Sequence, residues 1–169
     1  MNRFTQLINN TMKKIIALML LLSITITSYA QKNKEEKAVK TAIENFFKGF
    51  HKGDTLLLKK TIHADLIAQT TFTTQKGDKV LRSTKDVYKT LINFAKNVKP
   101  TDNYDEKILS YKILVDGNLA SVWTPYEFYN KGVFSHCGVN SFQLFNNNGN
   151  WEIIYLIDTR RRNACKAAK

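Results

Sequence analysis

The chain has 169 residues, 43% of them apolar, 11% aromatic and 24% charged, with only 7 glycines and 2 prolines. That is enough for one domain with a real core, and it excludes a multidomain assembly and a disordered or low-complexity chain. The formal net charge of +12 invites a nucleic-acid reading, which the placement of the charges argues against.

Lys13 and Lys14 precede an uncharged stretch, 15–30, whose apolar centre reads IIALMLLLSITI and whose end is Ser28-Tyr29-Ala30. A basic start, an apolar centre and small residues at the end are the pattern of a cleavable signal peptide. We expect one over 1–30 and a periplasmic or secreted product. The alternative is a membrane anchor, but the apolar run is shorter than the ~20 residues of a spanning helix. No cysteine lies in 1–30 to carry a lipid, so no stable membrane insertion is expected after cleavage. Cleavage would remove Arg3, Lys13 and Lys14, leaving 23 cationic side chains against 14 acidic ones. Arg160, Arg161, Arg162, Lys166 and Lys169 crowd the last ten residues, which contain no acid. Such a chain has a single domain over 31–160 and a basic tail over 161–169. Its body shows no stripe of cations and aromatics, so no nucleic-acid partner is expected.

Between Lys34 and His51, Val39, Ile43, Phe46, Phe47 and Phe50 recur at steps of three and four, which predicts an amphipathic helix lying over a core. Gly53 ends it, and Asp54 caps a second, short helix through Leu56, Leu57 and Leu58 to about Ile62. Leu66 to Thr74 reads as a strand, Lys76-Gly77-Asp78 as a turn and Val80 to Arg82 as a return strand. Ser83 and Asp86 suggest a capping box for a third helix through Val87, Leu91, Phe94 and Ala95, closed by Lys99-Pro100. Beyond residue 105 the period becomes two, with strands expected at 107–115, 118–129, 133–145 and 151–159. Turns at Asp116-Gly117, Asn130-Lys131-Gly132 and 146–150 join them into an antiparallel meander. Helices first and a curved meander after them make an α+β domain.

This layout resembles the nuclear transport factor 2-like superfamily, in its SnoaL-like and putative lumazine-binding-like bacterial branches. The residues that carry the likeness are Phe47 to Asp54, Ile62-His63-Ala64-Asp65, Ser135-His136-Cys137-Gly138 with Phe142, Trp151-Glu152-Ile153-Ile154 and Asp158-Thr159-Arg160-Arg161. It implies a cone-shaped, curved antiparallel sheet wrapped around three N-terminal helices. It also implies a cavity that in this superfamily serves isomerases, dehydratases and ligand carriers, so the fold alone does not name a function.

With hairpin centres at Lys131 and about Asn148, residues of equal parity share a face. One face gathers Thr124, Tyr126, Phe128, Phe134, His136, Gly138, Asn140, Phe142, Ile154, Leu156, Asp158 and Arg160. It carries the titratable groups and is assigned to the cavity. In that register His136 stands opposite Tyr126 and near Asp158. Asp158 would orient His136 as base or acid while Tyr126 polarises a carbonyl, and the bland alternative is a buried polar network. Thr124, Phe128, Asn140, Phe142 and Arg160 are the expected ligand contacts. His63 and Asp65 read as a cap and turn, and His51 as a partner of the terminal helix carbonyls. Neither a metal-ligand spacing nor a phosphate loop occurs, so no metal and no cofactor is expected.

The leading expectation is an exported small-molecule-binding protein that takes an apolar or aromatic ligand between sheet and helices. The alternatives are a cofactor-independent lyase or isomerase using His136, Asp158 and Tyr126, and an interaction module docking through its basic tail. The opposite sheet face, with Trp123, Val139, Trp151, Ile153 and Tyr155, predicts a homodimer that Ile153→Glu should break. Cys137 and Cys165 are an even pair in an exported chain, which favours a disulfide, with Cys137 placed opposite about Thr159.

Overall fold

The computed structural model describes residues 31–162 together with Lys13 and Cys165. Apart from Lys13, the expected signal segment lies outside the described residues, as does most of the basic tail. Among the described residues no helix is long and apolar enough to cross a membrane.

Helix α1 runs over 31–52 and buries Val39, Ile43 and Phe46, the stripe its periodicity announces. Asp54 caps α2 (Thr55–Lys59) by accepting from the backbone N–H groups of Leu56 and Leu57. After α2 the chain enters β1 (Ile62–Thr73) directly, turns into β2 (Lys79–Ser83) and reaches α3 (Val87–Asn97). The Ser83–Asp86 box does not form. Asp86 precedes α3 in a left-handed conformation, and its side chain makes no cap hydrogen bond.

A 3-10 turn (Pro100–Asp102) leads to β3 (Tyr104–Ile108), β4 (Lys112–Asp116), β5 (Leu119–Asn130), β6 (Val133–Asn147) and β7 (Asn150–Arg160). These strands form one curved, unclosed sheet in the order β2-β1-β7-β6-β5-β3, with β4 also on β5. The sheet is mixed, because β1 runs parallel to β7. The single strand expected over 107–115 is two, and Pro125 explains the break. The Pro125 carbonyl accepts from Leu109 N–H, so its own nitrogen faces the same side and has no hydrogen to offer there. Ile108 pairs with Tyr126 and Lys112 with Trp123, leaving three residues opposite two.

Both long hairpins turn on two residues, where the sequence pattern suggests three at 130–132 and five at 146–150. Lys131-Gly132 and Asn148-Gly149 all have positive φ, the conformation of a tight primed turn whose twist suits the strands it joins. Each turn is followed by a one-residue bulge, at Ser135 in β6 and at Ile154 in β7. Turn and bulge each shift the register by one, so parity is lost near the turn and regained beyond the bulge. This corrects the face assignment near the turns. Ile153 pairs with Leu144, and both Trp151 and Ile153 lie in the core instead of on the outer face. Phe134 pairs with Tyr129 near the strand tip and is exposed. Cys137 stands opposite Arg161, two residues beyond the expected Thr159.

The core lies between the helices and one end of the sheet's inner face. Val39, Ile43, Phe46 and Leu58 meet Ala120, Val122, Phe142, Leu144, Trp151 and Ile153, with Val87, Ile92 and Ala95 of α3 completing it.

Candidate functional site

Cross-strand pairing sorts the inner face into rows. Ala120, Leu144 and Ile153 form one, and Val122, Phe142, Leu156 and Ala68 the next. The following row is polar throughout: Thr124 on β5, Asn140 on β6, Asp158 on β7 and Thr70 on β1. Thr124, Asn140 and Asp158 are buried. The hydroxyls of Thr124 and Thr70 are buried too and have no hydrogen-bond partner among the described residues. Buried polar atoms are almost always satisfied, so two orphans in one row mark a place built for a guest molecule or water.

Next to this row, Tyr126 donates from its hydroxyl to Asp158 Oδ2 and the Thr159 carbonyl, both at 3.1 Å. Arg160 Nε donates to the same Asp158 oxygen at 2.7 Å. Gly138, paired with Tyr126, makes this possible: a Cβ there would stand 1.7 Å from the Thr159 carbonyl oxygen and 2.9 Å from the Tyr126 ring. Burial first, then the Asp158 and Glu106 carboxylates, keep the Tyr126 hydroxyl protonated far above its ordinary range.

His136 does not hold the place expected of it. The Ser135 bulge moves it opposite Phe128, leaving its ring edge-on to Tyr126 with centroids 5.7 Å apart. Its Nδ1 shares a hydrogen bond with Ser135 Oγ, not with Asp158. Burial, then the Arg160 charge, lower its pKa against the upward pull of Asp158. The structure thus joins Tyr126 to Asp158 directly and leaves His136 beside the pair. Phe128 and Arg160 lie beside this group, whereas Phe142 is a core residue packed edge-on against Phe46 and Phe47. His63 Nδ1 accepts from the Asp65 N–H, a local turn at the start of β1.

Two titratable residues are drawn into the site that the sequence pattern leaves out of it, Glu106 unmarked and His51 read as a partner of the helix-end carbonyls. Glu106 of β3 accepts from Asn140 Nδ2 at 2.7 Å. Burial raises its pKa to about 7, Asn140 and Arg160 opposing and Asp158 assisting. His51, near the end of α1, is only 8% exposed. Its ring lies among Phe47, Phe50 and Phe128, and its Nε2 has no hydrogen-bond partner among the described residues. Burial lowers its pKa to about 4, with Asp105 opposing and Lys52 assisting. Both signals were legible as pattern: Glu106 alternates with Tyr104 and Ile108, and His51 sits four residues after Phe47 on the apolar stripe.

Both residues line a pocket of about 570 Å³, together with Phe47, Tyr104 and Tyr129. Its volume suits a small organic molecule. At neutral pH its wall offers an uncharged imidazole, a carboxyl near its midpoint and, through Asn140, a connection to the polar row. That set can hold a planar polar ligand by hydrogen bonds or exchange a proton with it. Among the described residues no three His, Cys, Asp or Glu side chains gather as a metal site. Cys137 and Cys165 form a disulfide, their Cα atoms 5.7 Å apart, which ties the tail to β6 beside Arg161.

No curated protein matches the chain. Among solved structures, an NTF2-like protein with a cystatin-like fold from Novosphingobium aromaticivorans is 11% identical with a TM-score of 0.62, covering 82% of this chain and 90% of its own. A protein of unknown function from Mycobacterium tuberculosis is 12% identical, also with a TM-score of 0.62, over 80% and 77% of the two chains. A protein from Streptomyces avermitilis, described as a putative dehydratase from the NTF2-like family, is 11% identical with a TM-score of 0.55 over 77% and 98%. At such identities the likeness is one of fold. The pattern of the family described as putative lumazine-binding matches residues 34–155, most of the chain, and ends within β7 just before Asp158 and Arg160. The chain therefore belongs to the putative lumazine-binding family, within the nuclear transport factor 2-like superfamily.

Proposed function

We propose that this is an exported small-molecule-binding protein whose ligand enters the pocket between α1 and β3 and reaches the polar row through Glu106. The observation that carries the reading is the orphaned His51 Nε2 in the wall of a 570 Å³ pocket that also holds Glu106. A buried polar atom without a partner costs about 1 to 3 kcal/mol, which a ligand hydrogen bond would recover. The family description points the same way, toward a flat heteroaromatic ligand. Export rests on the 15–30 segment and agrees with the Cys137–Cys165 disulfide, a bond of oxidising compartments. N-terminal sequencing of the protein from its native host tests it, and an intact residue 1–30 segment would refute it.

Native mass spectrometry of the purified chain tests the binding reading. A retained ring compound, lost in His51→Leu and weakened in Glu106→Gln, is the expected result; a pocket that stays empty against a panel of planar heterocycles would refute it.

Glu106 favours a second reading, a dehydratase- or isomerase-like proton transfer. Its pKa near 7 suits a general base or acid, and the Tyr126 hydroxyl lies on the same inner face as a hydrogen-bond donor. Turnover that vanishes in Glu106→Gln while ligand affinity survives would establish it.

We further propose a homodimer through the outer face, where Leu114, Leu119, Trp123 and Phe145 remain exposed. Trp123→Glu should give a folded monomer in sedimentation; a wild-type monomer at micromolar concentration would refute the dimer.

A further inference from the structure

The mouth of the pocket is cationic in a way that its walls do not require. Lys48 and Lys52 are one helical turn apart on α1, flanking His51, and Lys107 stands across the opening on β3. None of the three makes an ion pair among the described residues; Lys107 lies over the Tyr129 ring, 4.4 Å from its centroid. Elsewhere on α1 a lysine is matched to an acid at the next turn, as Lys40 is to Glu44. The one exposed acid at the mouth is Asp105, and Glu106 behind it is held near half-protonation by burial. Among the lining residues three cations from two elements therefore surround an aromatic opening with a single full negative charge, while Glu127 stands opposite Lys107 in the β3–β5 ladder and leaves Lys48 and Lys52 as the unmatched pair. Unmatched like charges brought together around a concave, low-dielectric wall repel one another and focus a positive potential into it.

We propose, resting on the ligand-binding reading above, that the pocket selects a planar anion. Its carboxylate, sulfonate or phosphate sits at the Lys48, Lys52 and Lys107 mouth, its ring lies between Phe47 and Tyr104, and its ring-edge polar atom meets His51 Nε2. The anionic group supplies the charge partner that Lys48 and Lys52 lack, and the ring-edge atom supplies the partner that His51 lacks. Neither demand is met by a purely apolar molecule.

The test uses two probes that differ in one group: 8-anilinonaphthalene-1-sulfonate, an aromatic anion, and N-phenyl-1-naphthylamine, the same ring system without the sulfonate. Their fluorescence is titrated against the purified full chain, against Lys48→Glu/Lys52→Glu, and against a charge-matched control on the far helix, Lys89→Glu/Lys96→Glu. The sulfonate should bind about tenfold more tightly than the neutral probe at low salt, and the advantage should shrink on raising salt from about 50 to 500 mM. The mouth variant should abolish that advantage and leave the neutral probe within about twofold, while the control changes neither probe by more than that. Equal affinity for the two probes, or a mouth variant that binds the sulfonate as the parent does, overturns the anion preference and leaves the ligand-binding reading standing. Binding of neither probe overturns both.

Discussion

Two neighbouring stretches of one sheet face, built by the same three strands, have opposite characters. From Val122, Phe142 and Leu156 toward the β6–β7 turn the inner face is wholly apolar and lies under the helices. One row further, at Thr124, Asn140 and Asp158, it becomes polar, and beyond that Tyr126, Glu106 and His136 alternate with Ile108 and Phe128. The first half gains stability from close packing and tolerates no charge. The second half spends stability: it buries a carboxylate, a neutral histidine and two orphan hydroxyls that a packed core would replace with aliphatic groups. That cost is carried in one contiguous region with the pocket of about 570 Å³ alongside, which is what the proposed ligand-binding role requires.

The sharpest break of this comparison is a charge placed in the apolar half. Ile153→Glu puts a carboxylate at a fully buried position against Leu144, so it should cost on the order of 4 to 5 kcal/mol and leave little folded protein in urea denaturation. The outer-face register would instead have had it dissociate a dimer. Gly138→Ala tests the junction between the halves. Its Cβ would meet the Thr159 backbone, so β6 and β7 must part locally, at about 3 kcal/mol, and the Tyr126–Asp158 hydrogen bond should go with them.

The polar half is read by pH. His51 has its folded pKa lowered to about 4, so protonation of the unfolded chain draws stability away as pH falls from about 6.5 toward 4. Glu106 has its folded pKa raised to about 7, so the folded chain holds the extra proton and gains stability as pH falls from about 7 toward 4.5. The two contributions, each at most about 3 kcal/mol, oppose one another between pH 4.5 and 6.5. Relative to the parent, Glu106→Gln should lose stability on acidification across that window and His51→Phe should gain it, measured as urea midpoints. Parallel profiles for parent and both variants would mean that neither group is buried as described. The smallest expected effect is Thr124→Val, which removes an orphan hydroxyl from the polar row. It should stabilise the ligand-free protein by up to about 1 kcal/mol while weakening any ligand that the hydroxyl contacts.

Much of this site was legible in the strand alternation. Thr124, Tyr126, Asn140 and Asp158 share the inner face that a period of two assigns them, because two register shifts restore parity beyond each bulge. Trp151, Ile153 and Phe134 were misplaced because they lie between turn and bulge, where only one shift has occurred. Nothing local announces that Ser135 or Ile154 bulges: neither is a glycine, and each sits in an unbroken strand pattern. Pro125 could have warned that one edge ladder would be interrupted. Glu106 was overlooked because the expected strand began at Lys107, three residues after β3 does, and His51 because a histidine near a helix end reads equally well as a terminal cap.

By itself the sequence determined the helices, most of the strands and the order that makes this an α+β domain, since periodicity, caps and turn residues act over a few positions and need no distant partner. It also determined which side chains alternate toward a common face. Only the tertiary structure decided which of them touch. The exchange of His136 for Asp158 as the direct partner of Tyr126 depends on a one-residue bulge. The meeting of Glu106 with Asn140 depends on β3 and β6 flanking β5. The shifts at His51 and Glu106 depend on how completely helix and sheet together remove each from water. Burial is a property of the assembled layers, so the protonation states on which any chemistry here would turn are set by packing between elements far apart in the chain.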